Sequence, residues 1–221
     1  MPPGEHNLPR GFVEHNQRER IFDAIANLTA SRGYQALSLE DVAAEAAVSL
    51  QTFYSHFESK EEAFEAAYEV GHARALGVCA EAFADAQTWV QGVHAAVGAL
   101  MQFLAAEPSY AHLACVDIVV AFPRLTERVE AARSTYGGLL ASRLARYNGS
   151  ARMHRASSIT GEAIVGGVFE LLHDYVARGL TERLPELADH VTYIALTPFL
   201  GSQAAAAAVT GAQRTRTQPR R

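Results

Sequence analysis

The 221-residue chain contains a single lysine, Lys60, two cysteines and one tryptophan. Because Cys79 and Cys115 are far apart, they form neither a disulfide framework nor a metal-binding pattern, and we expect both to be buried and reduced. No apolar run reaches the ~18 residues that a membrane span requires, and the start, MPPGEHNLPRGF, lacks the apolar core of a secretion signal. These absences predict a cytoplasmic protein with no membrane partner.

Motifs of enzymes and cofactor sites are also missing. The sequence has no Gly-x-Ser-x-Gly, no phosphate-binding loop, no His-Glu-x-x-His and no cysteine-rich metal signature. Nor does it have the alternation of apolar and polar residues that is typical of strands. We therefore predict an all-α protein with no cofactor and no metal, and we rank a helical enzyme last among its possible functions.

Positive charge is scarce where a nucleic acid would need it. The formal net charge is −5, and residues 1–60 hold five Lys/Arg against eight Asp/Glu. Attraction to phosphates normally supplies much of the affinity of a DNA-binding protein. Any contact with DNA must therefore depend on a few well-placed cations and on helix N-termini.

The segment 38–60, SLEDVAAEAAVSLQTFYSHFESK, predicts two short helices joined by a tight turn. Ser38 is followed three residues later by Asp41, a variant of the capping box that opens a helix. Ser49 is placed to cap the second helix. This pattern is typical of a helix-turn-helix motif.

The second short helix has an inner and an outer face. Val48, Phe53 and Phe57 turn inward as core residues, which leaves an outer face that is short, polar and uncharged. Such a face suits the major groove of DNA, where base edges offer donors, acceptors and thymine methyl groups. The outward residues are Leu50, Gln51, Thr52, Ser55 and His56.

The stretch from Arg18 to Tyr68 resembles the TetR family of bacterial transcription regulators. It carries Thr52-Phe53-Tyr54, Ser55-His56-Phe57 and Ser59-Lys60-Glu61 in the order and spacing of that family. The resemblance implies an N-terminal three-helix helix-turn-helix DNA-binding domain. It also implies a larger C-terminal helical domain that binds a ligand and dimerises.

Carried over residue by residue, the resemblance implies two kinds of DNA contact. Phosphate contacts fall to Ser38, Tyr54, His56 and Lys60, and base-edge contacts to Leu50, Gln51, Thr52 and Ser55. The alternatives are a rim aromatic for Tyr54, a packing or capping role for His56 and a solvated charge for Lys60.

The sequence departs from the family pattern in the turn and just after it. Ala47 stands where the family usually has glycine, and a left-handed conformation there would cost alanine ~1 kcal/mol. The family often has glycine or a basic residue around positions 50 and 51, where this chain has Leu50 and Gln51. The operator sequence therefore does not follow from the resemblance.

A palindromic double-stranded operator calls for a protein with two-fold symmetry. In the family, the last two long helices pair with those of a second subunit. The matching segments here are Ile159–Tyr175 and Glu186–Leu200, which we expect to form a homodimer. Burial of their apolar residues within one subunit is the alternative.

The middle helices carry aromatic and sulfur-containing side chains with a few polar tips. This composition suits a pocket for a small, mostly apolar effector, and it suits an ordinary core equally well. The candidate pocket residues are Trp89, Met101, Phe103, Leu104, His112, Cys115, Phe122, Tyr136, Phe169 and His173.

The predicted organisation has four parts: a flexible arm (1–14), the helix-turn-helix domain (15–59), a helical effector-binding and dimerisation domain (60–200) and a flexible basic tail (201–221). We predict a dimeric DNA-binding transcriptional regulator, a repressor released by a small effector. The alternative is an effector-independent DNA-binding protein that acts as an activator or in nucleoid organisation.

Overall fold

The computed structural model describes residues 9–118, 130–131, 134–138 and 151–216, and for residues 151–158 and 211–216 it describes the backbone alone. Throughout this part of the chain the regular elements are helical, which confirms the predicted all-α fold. The α-helices are α1 (Arg10–Arg32), α2 (Leu39–Glu45), α3 (Leu50–Tyr54), α4 (Lys60–Ala84), α5 (Trp89–Ala106), α6 (Pro108–His112), α7 (Ala151–Ala177), α8 (Ala188–Leu200) and α9 (Ser202–Arg216).

Shorter helical turns connect some of these helices. Two 3₁₀ segments, Tyr34–Ala36 and Thr181–Leu187, precede α2 and α8, and a π-helical turn, Leu113–Asp117, follows α6. Most of residues 123–147 lie outside the described residues, as does the pocket candidate Phe122.

The chain divides into two compact units, Met1–Gly71 and His72–Arg221, which we call the head and the C-terminal unit. The division falls inside α4 rather than at the start of this helix, where the sequence analysis put the boundary. The reason is that the first turns of α4 belong to the core of the head, since Phe64 is fully buried and its ring lies 5.0 Å from that of Tyr34.

The core of the head forms on the predicted inner face of α1. Ile21 and Ile25 are almost completely buried there, with Phe22 and Leu28 beside them. Phe53 of α3 has no exposed surface, and the ring of Phe57 lies 5.8 Å from the rings of both Phe53 and Phe22. The packing of these aromatic rings fixes α3 against α1.

Both ends of the described chain are more helical than predicted. α1 begins at Arg10, so residues 10–14 of the predicted flexible arm are helical. Pro9 precedes them, and an Arg10–Glu14 ion pair of 2.8 Å links successive turns. At the other end, α9 occupies Ser202–Arg216 of the predicted flexible tail. An alanine-rich sequence favours helix, and this property outweighs the polar composition that suggested disorder.

The C-terminal unit has two clusters of buried apolar side chains. One joins α5, the π-helical turn, α7 and the 3₁₀ segment before α8 through Met101, Cys115, Leu172 and Leu184. The other joins α5, α7, α8 and α9 and is built on Trp89, Val93, Ile164, Leu196 and Ala205. α5, α7 and α8 each contribute to both clusters and so connect them.

By length and mean hydropathy alone, α5 could cross a membrane, and 39% of this 18-residue window is buried. The sequence analysis predicted no such run. The buried face of α5 packs against α8 and the 3₁₀ segment Thr181–Leu187, as expected of the core helix of a helical domain.

Both cysteines are free and buried, as predicted. Burial raises the pKa of the Cys79 thiol to about 11 and that of Cys115 to about 12. Since the thiolate is the reactive form, both side chains behave as small apolar core groups.

Candidate nucleic-acid interface

The interface begins at the N-terminus of α2, where Ser38 and Asp41 form the predicted capping box. The Asp41 backbone N–H donates to Ser38 Oγ (3.0 Å), and the Ser38 hydroxyl donates to Asp41 Oδ2 (2.6 Å). The Ser38 N–H also donates to Asp41 Oδ2 (3.4 Å), and the hydrogen bonds that this carboxylate accepts, first from the hydroxyl and then from the backbone of Ser38, lower the pKa of Asp41. The hydroxyl proton of Ser38 is thus engaged within the cap, and its predicted contact with a phosphate remains a prediction.

The turn between α2 and α3 is a Schellman motif. The Ala47 N–H donates to the Ala44 carbonyl (3.1 Å) and the Val48 N–H to the Ala43 carbonyl (2.9 Å), the pairing that defines this helix ending. Ala47 has a φ of +51°, in the left-handed region suspected from the sequence. The turn is therefore closed by its hydrogen bonds at a conformational cost to alanine.

α3 is a short helix of 5 residues that Ser49 caps at its N-terminus. The Thr52 N–H donates to Ser49 Oγ (3.0 Å), and the two hydroxyls of Ser49 and Thr52 lie 2.9 Å apart. The Ser55 hydroxyl donates to the Thr52 carbonyl (2.7 Å). The side chains of Thr52 and Ser55 are thus oriented by local hydrogen bonds, and each hydroxyl keeps acceptor capacity for a further partner.

Of the five residues predicted to point outward, three are exposed, and Thr52 and His56 are half-buried. Leu50, Gln51, Tyr54 and Ser55 are exposed and Thr52 is half-buried, whereas Phe53 between them is completely buried. A buried aromatic thus anchors a helix whose opposite side is polar and uncharged.

His56 is held by a residue that the sequence analysis did not single out. Its Nε2 lies 2.9 Å from Gln17 Oε1, and because an amide oxygen only accepts, Nε2 carries the proton. The neutral ring then offers Nδ1 as an acceptor, so donation to a phosphate requires a doubly protonated ring or a reversed Gln17 amide. Burial, and secondly the charge of Arg18, lowers the pKa of His56.

Several cations of the head contact other residues of the head. The guanidinium of Arg18 lies 4.6 Å from the centre of the Phe57 ring, and Arg32 pairs with Asp41 at 3.6 Å. Lys60 Nζ donates to the Leu37 carbonyl (2.8 Å) and to the Tyr34 carbonyl (3.4 Å). The sequence analysis missed these contacts because their partners lie far away along the chain.

The predicted pocket residues fall into separate parts of the C-terminal unit. Met101, Leu104 and Cys115 are buried in the first apolar cluster and Trp89 in the second. Phe103 stacks edge-on with Tyr110 at 5.7 Å, Tyr136 lies 5.5 Å from His72, and Phe169 is half-buried. Met101, Phe103, Leu104 and Cys115 thus lie in or against one apolar cluster and Trp89 in the other, and a single pocket remains a prediction.

Two pocket candidates are oriented by hydrogen bonds around the π-helical turn. His112 Nδ1 lies 2.6 Å from Asp117 Oδ2, and His173 Nδ1 lies 2.7 Å from the Cys115 carbonyl oxygen. Asp117 is itself buried. Among the described residues, no group of three or more His, Cys, Asp or Glu side chains has the arrangement of a metal site.

The predicted dimer segments present both buried and exposed apolar residues. Leu172, Val191 and Leu196 are buried within the subunit, as in the alternative reading. By contrast, Ile159 is 70% exposed and Ile194 48% exposed. The exposed residues leave an apolar surface on both α7 and α8 without a described partner.

The geometry of the head is that of a three-helix helix-turn-helix domain. Residues 21–67 match the family described as bacterial regulatory proteins, tetR family. This segment is therefore a TetR-family domain, and the resemblance predicted from the sequence is confirmed.

Solved structures resemble most of the chain in fold. One is a TetR-like transcriptional regulator from Rhodococcus sp. RHA1, which is 21% identical, covers 88% of this chain and 100% of its own, and has a TM-score of 0.68. The fatty acid degradation regulator FadR from Bacillus halodurans is 19% identical, with 80% and 97% covered and a TM-score of 0.71.

A third similar structure is the transcriptional regulator FadR from Bacillus subtilis in complex with stearoyl-CoA. It is 17% identical, covers 81% of this chain and 97% of its own, and has a TM-score of 0.71. None of the curated proteins matches this chain in sequence. The fold is thus similar to that of TetR-family transcriptional regulators, with a helix-turn-helix domain followed by a larger helical domain.

Proposed function

We propose that this chain is a homodimeric repressor that binds a palindromic operator and is released by a small, mostly apolar effector. The observation that carries the proposal is the outer face of α3, which is exposed, polar and uncharged while Phe53 anchors the opposite side. A rigid helix with such a face can enter a major groove without bringing a negative charge to the bases.

On this proposal, α3 reads base edges. Gln51 can form a bidentate pair with adenine and Leu50 can contact a thymine methyl group, while Thr52 and Ser55 offer hydroxyls to either purines or pyrimidines. Tyr54, which is 55% exposed, donates to a phosphate from the end of the helix. These assignments leave most of the specificity to side chains without charge.

Gel-shift titration after binding-site selection from randomised DNA tests this proposal. We expect a selected palindrome with half-sites about one helical turn apart. Gln51→Ala should weaken specific binding about tenfold or more, since a bidentate pair contributes roughly 1–3 kcal/mol of discrimination. Gln102→Ala, an exposed glutamine of the C-terminal unit, is the matched control. A folded protein that selects no sequence at low salt contradicts the proposal.

The exposed apolar side chains of α7 and α8 support a homodimer through Ile159–Tyr175 and Glu186–Leu200. Ile159, Tyr193 and Ile194 are exposed apolar residues in these segments, and their burial by a second copy would contribute favourably to association. Sedimentation of Ile194→Asp tests this interface. We expect a shift toward monomer, whereas Phe12→Asp, which changes an exposed apolar residue of the head, should leave the oligomeric state unchanged.

An apolar effector is supported by the composition of the C-terminal unit and by the stearoyl-CoA bound to the FadR protein of Bacillus subtilis. Full release requires that the effector prefer the non-binding form by ~5.5 kcal/mol if the population is to swing from 1:99 to 99:1. A thermal-shift screen that includes fatty acyl-CoA esters tests this point. A ligand that raises the melting temperature and weakens DNA binding supports an effector.

The second candidate is an effector-independent DNA-binding protein. It is favoured by the close packing of Met101, Leu104 and Cys115, which are at most 4% exposed and lie in one apolar cluster. The thermal-shift screen and the DNA-binding measurement that follows it separate the two functions, because an effector-independent protein predicts that no ligand changes the affinity for DNA. On either reading the protein acts in the cytoplasm and catalyses no reaction.

A further inference from the structure

Lys60, the single lysine, is half-buried, and its ammonium group contacts the connection between α1 and α2. Nζ lies 2.8 Å from the Leu37 carbonyl oxygen, 3.4 Å from the Tyr34 carbonyl oxygen and 4.4 Å from the centre of the Tyr34 ring. The charge therefore has two backbone acceptors and the negative face of an aromatic ring around it.

The ring beneath the ammonium is itself fixed. Tyr34 is 6% exposed, its hydroxyl donates to Glu61 Oε1 at 2.9 Å, and its ring meets that of Phe64 edge-on at 5.0 Å. Burial, with the hydrogen bond to Glu61 next in importance, raises the pKa of Tyr34, so the hydroxyl stays protonated as a donor. Lys60 and Glu61 thus both bind the same tyrosine from the first turn of α4.

The two carbonyls belong to the connection between α1 and α2. Leu37 directly precedes Ser38, the residue that caps α2, and Tyr34 opens the 3₁₀ turn after Gly33. An ammonium that bridges both carbonyls limits the directions in which this connection can move. It therefore sets the place and direction of the N-terminus of α2, the helix that precedes the turn into α3.

We propose that Lys60 is a positioning residue for DNA binding, which holds the carbonyls of Tyr34 and Leu37 and thereby fixes the start of α2, and that it does not neutralise a DNA phosphate. The inference rests on the proposed DNA-binding function. It replaces the phosphate contact that the family resemblance implied for this lysine.

The salt dependence of DNA binding separates the two roles. A cation that neutralises one phosphate contributes about 0.9 to the slope of log K against log salt concentration. Positioning predicts that Lys60→Met weakens binding roughly tenfold, about 1.4 kcal/mol, and leaves the slope unchanged. A slope that falls by about one overturns the proposal. Glu45→Gln, which shifts the charge of an exposed residue of α2 in the opposite direction, calibrates the effect of net charge alone.

Lys60→Arg keeps the positive charge and is the second variant in case the methionine variant does not fold. Arginine is well suited to phosphate, so a phosphate contact would survive this change with its affinity intact. Positioning predicts weaker binding with an unchanged slope, because the rigid planar fork of a guanidinium directs its N–H groups differently from a compact ammonium and so changes the contacts with the two carbonyls. Wild-type affinity for Lys60→Arg contradicts the inference.

A double-mutant cycle with Tyr34→Leu completes the test. If the Tyr34 ring helps to hold the ammonium on the two carbonyls, Lys60→Met should weaken binding less in the Tyr34→Leu background than in the wild type, since contacting residues are not additive. If the losses of DNA affinity in the two single variants add fully in the double variant, the proposal is overturned. The wild-type titration reports separately on the proposed function, because absence of specific binding there removes DNA recognition itself rather than the role of Lys60.

Discussion

The head and the C-terminal unit both contain local and long-range polar contacts, but the side-chain hydrogen bonds span up to 39 positions in the described part of the head and up to 95 in that of the C-terminal unit. In the head, the helix-capping pairs Ser38–Asp41, Ser49–Thr52 and Ser59–Glu62 each join residues three positions apart. In the C-terminal unit, His94 pairs with Asp189 at 2.9 Å across 95 positions, and His173 reaches the carbonyl of Cys115 across 58.

This difference has consequences for both stability and prediction. Local caps fix where a helix begins, whatever lies around it. Long-range pairs form only once distant helices have packed, and they then select one arrangement of these helices. The head should therefore depend on a few large anchors and caps, and the C-terminal unit on close fit between helices.

The largest effect should come from the anchor of α3. Phe53→Ala removes a completely buried ring, and truncations of this kind cost about 3–5 kcal/mol. We expect the head to lose most of its stability and specific DNA binding to disappear, as measured by urea unfolding and gel shift. Phe12→Ala, which removes a 56% exposed ring of α1, should change the free energy of unfolding by less than about 0.5 kcal/mol.

A smaller effect is expected where two helices of the C-terminal unit approach each other closely. A Cβ added at Gly161 would lie 2.8 Å from the backbone carbonyl oxygen of Gly137. Overpacking of this kind costs roughly 1–3 kcal/mol, so Gly161→Ala should lower the melting temperature.

Gly166→Ala is the matched control for this close approach. It lies in the same helix, and no atom is within 4 Å of its added Cβ. There alanine should stabilise α7 by roughly 0.5–1 kcal/mol, because glycine is a poor helix former. Equal effects of the two substitutions would contradict a glycine-dependent contact.

A substitution in the turn between α2 and α3 should raise the free energy of unfolding rather than lower it. Ala47 has a φ of +51°, so Ala47→Gly should relieve the strain and raise the free energy of unfolding by about 1 kcal/mol. Ala44→Gly, in the last turn of α2, should instead lower the free energy of unfolding by roughly 0.5–1 kcal/mol. Differential scanning calorimetry of both variants checks this contrast, and destabilisation by Ala47→Gly would refute it.

The smallest effect concerns pH. Burial lowers the pKa of His56 below its ordinary value of 6.5, so below pH 6.5 the unfolded head binds more protons than the folded head. Stability is therefore complete above this pH and falls as the pH drops through the lowered pKa.

Urea unfolding between pH 5 and 7 measures this dependence. His56→Gln should flatten the pH profile, whereas His190→Gln, at an exposed position of the C-terminal unit, should retain it. An unchanged slope in His56→Gln would place the titrating group elsewhere. His72, whose pKa burial also lowers, is then the first alternative.

Much of the candidate interface follows from the sequence. The caps at Ser38 and Ser49, the inward direction of Phe53 and Phe57 and the left-handed Ala47 all depend on residues within one or two helical turns, and each was predicted. Lys60, Gln17 and Tyr34 illustrate what local patterns do not contain. Their partners lie 23 to 39 positions away, and only packing brings them together.

The extent of α1 and α9 was underestimated for a related reason. Proline and polar residues suggested a flexible arm and tail, but Arg10–Arg32 and Ser202–Arg216 are helical. Helix propensity and contacts with neighbouring helices, such as that between α8 and α9, make both segments helical although their composition suggested flexibility.

The sequence by itself determined the helical class, the position of the turn and the exposed face of α3, because apolar periodicity and capping act between residues a few positions apart. Only the tertiary structure decided that the ammonium of Lys60 lies on Tyr34, that Trp89 and Met101 belong to different apolar clusters and that Gly161 meets Gly137. These outcomes depend on distances between segments remote in the chain, which are set by the packing of whole helices.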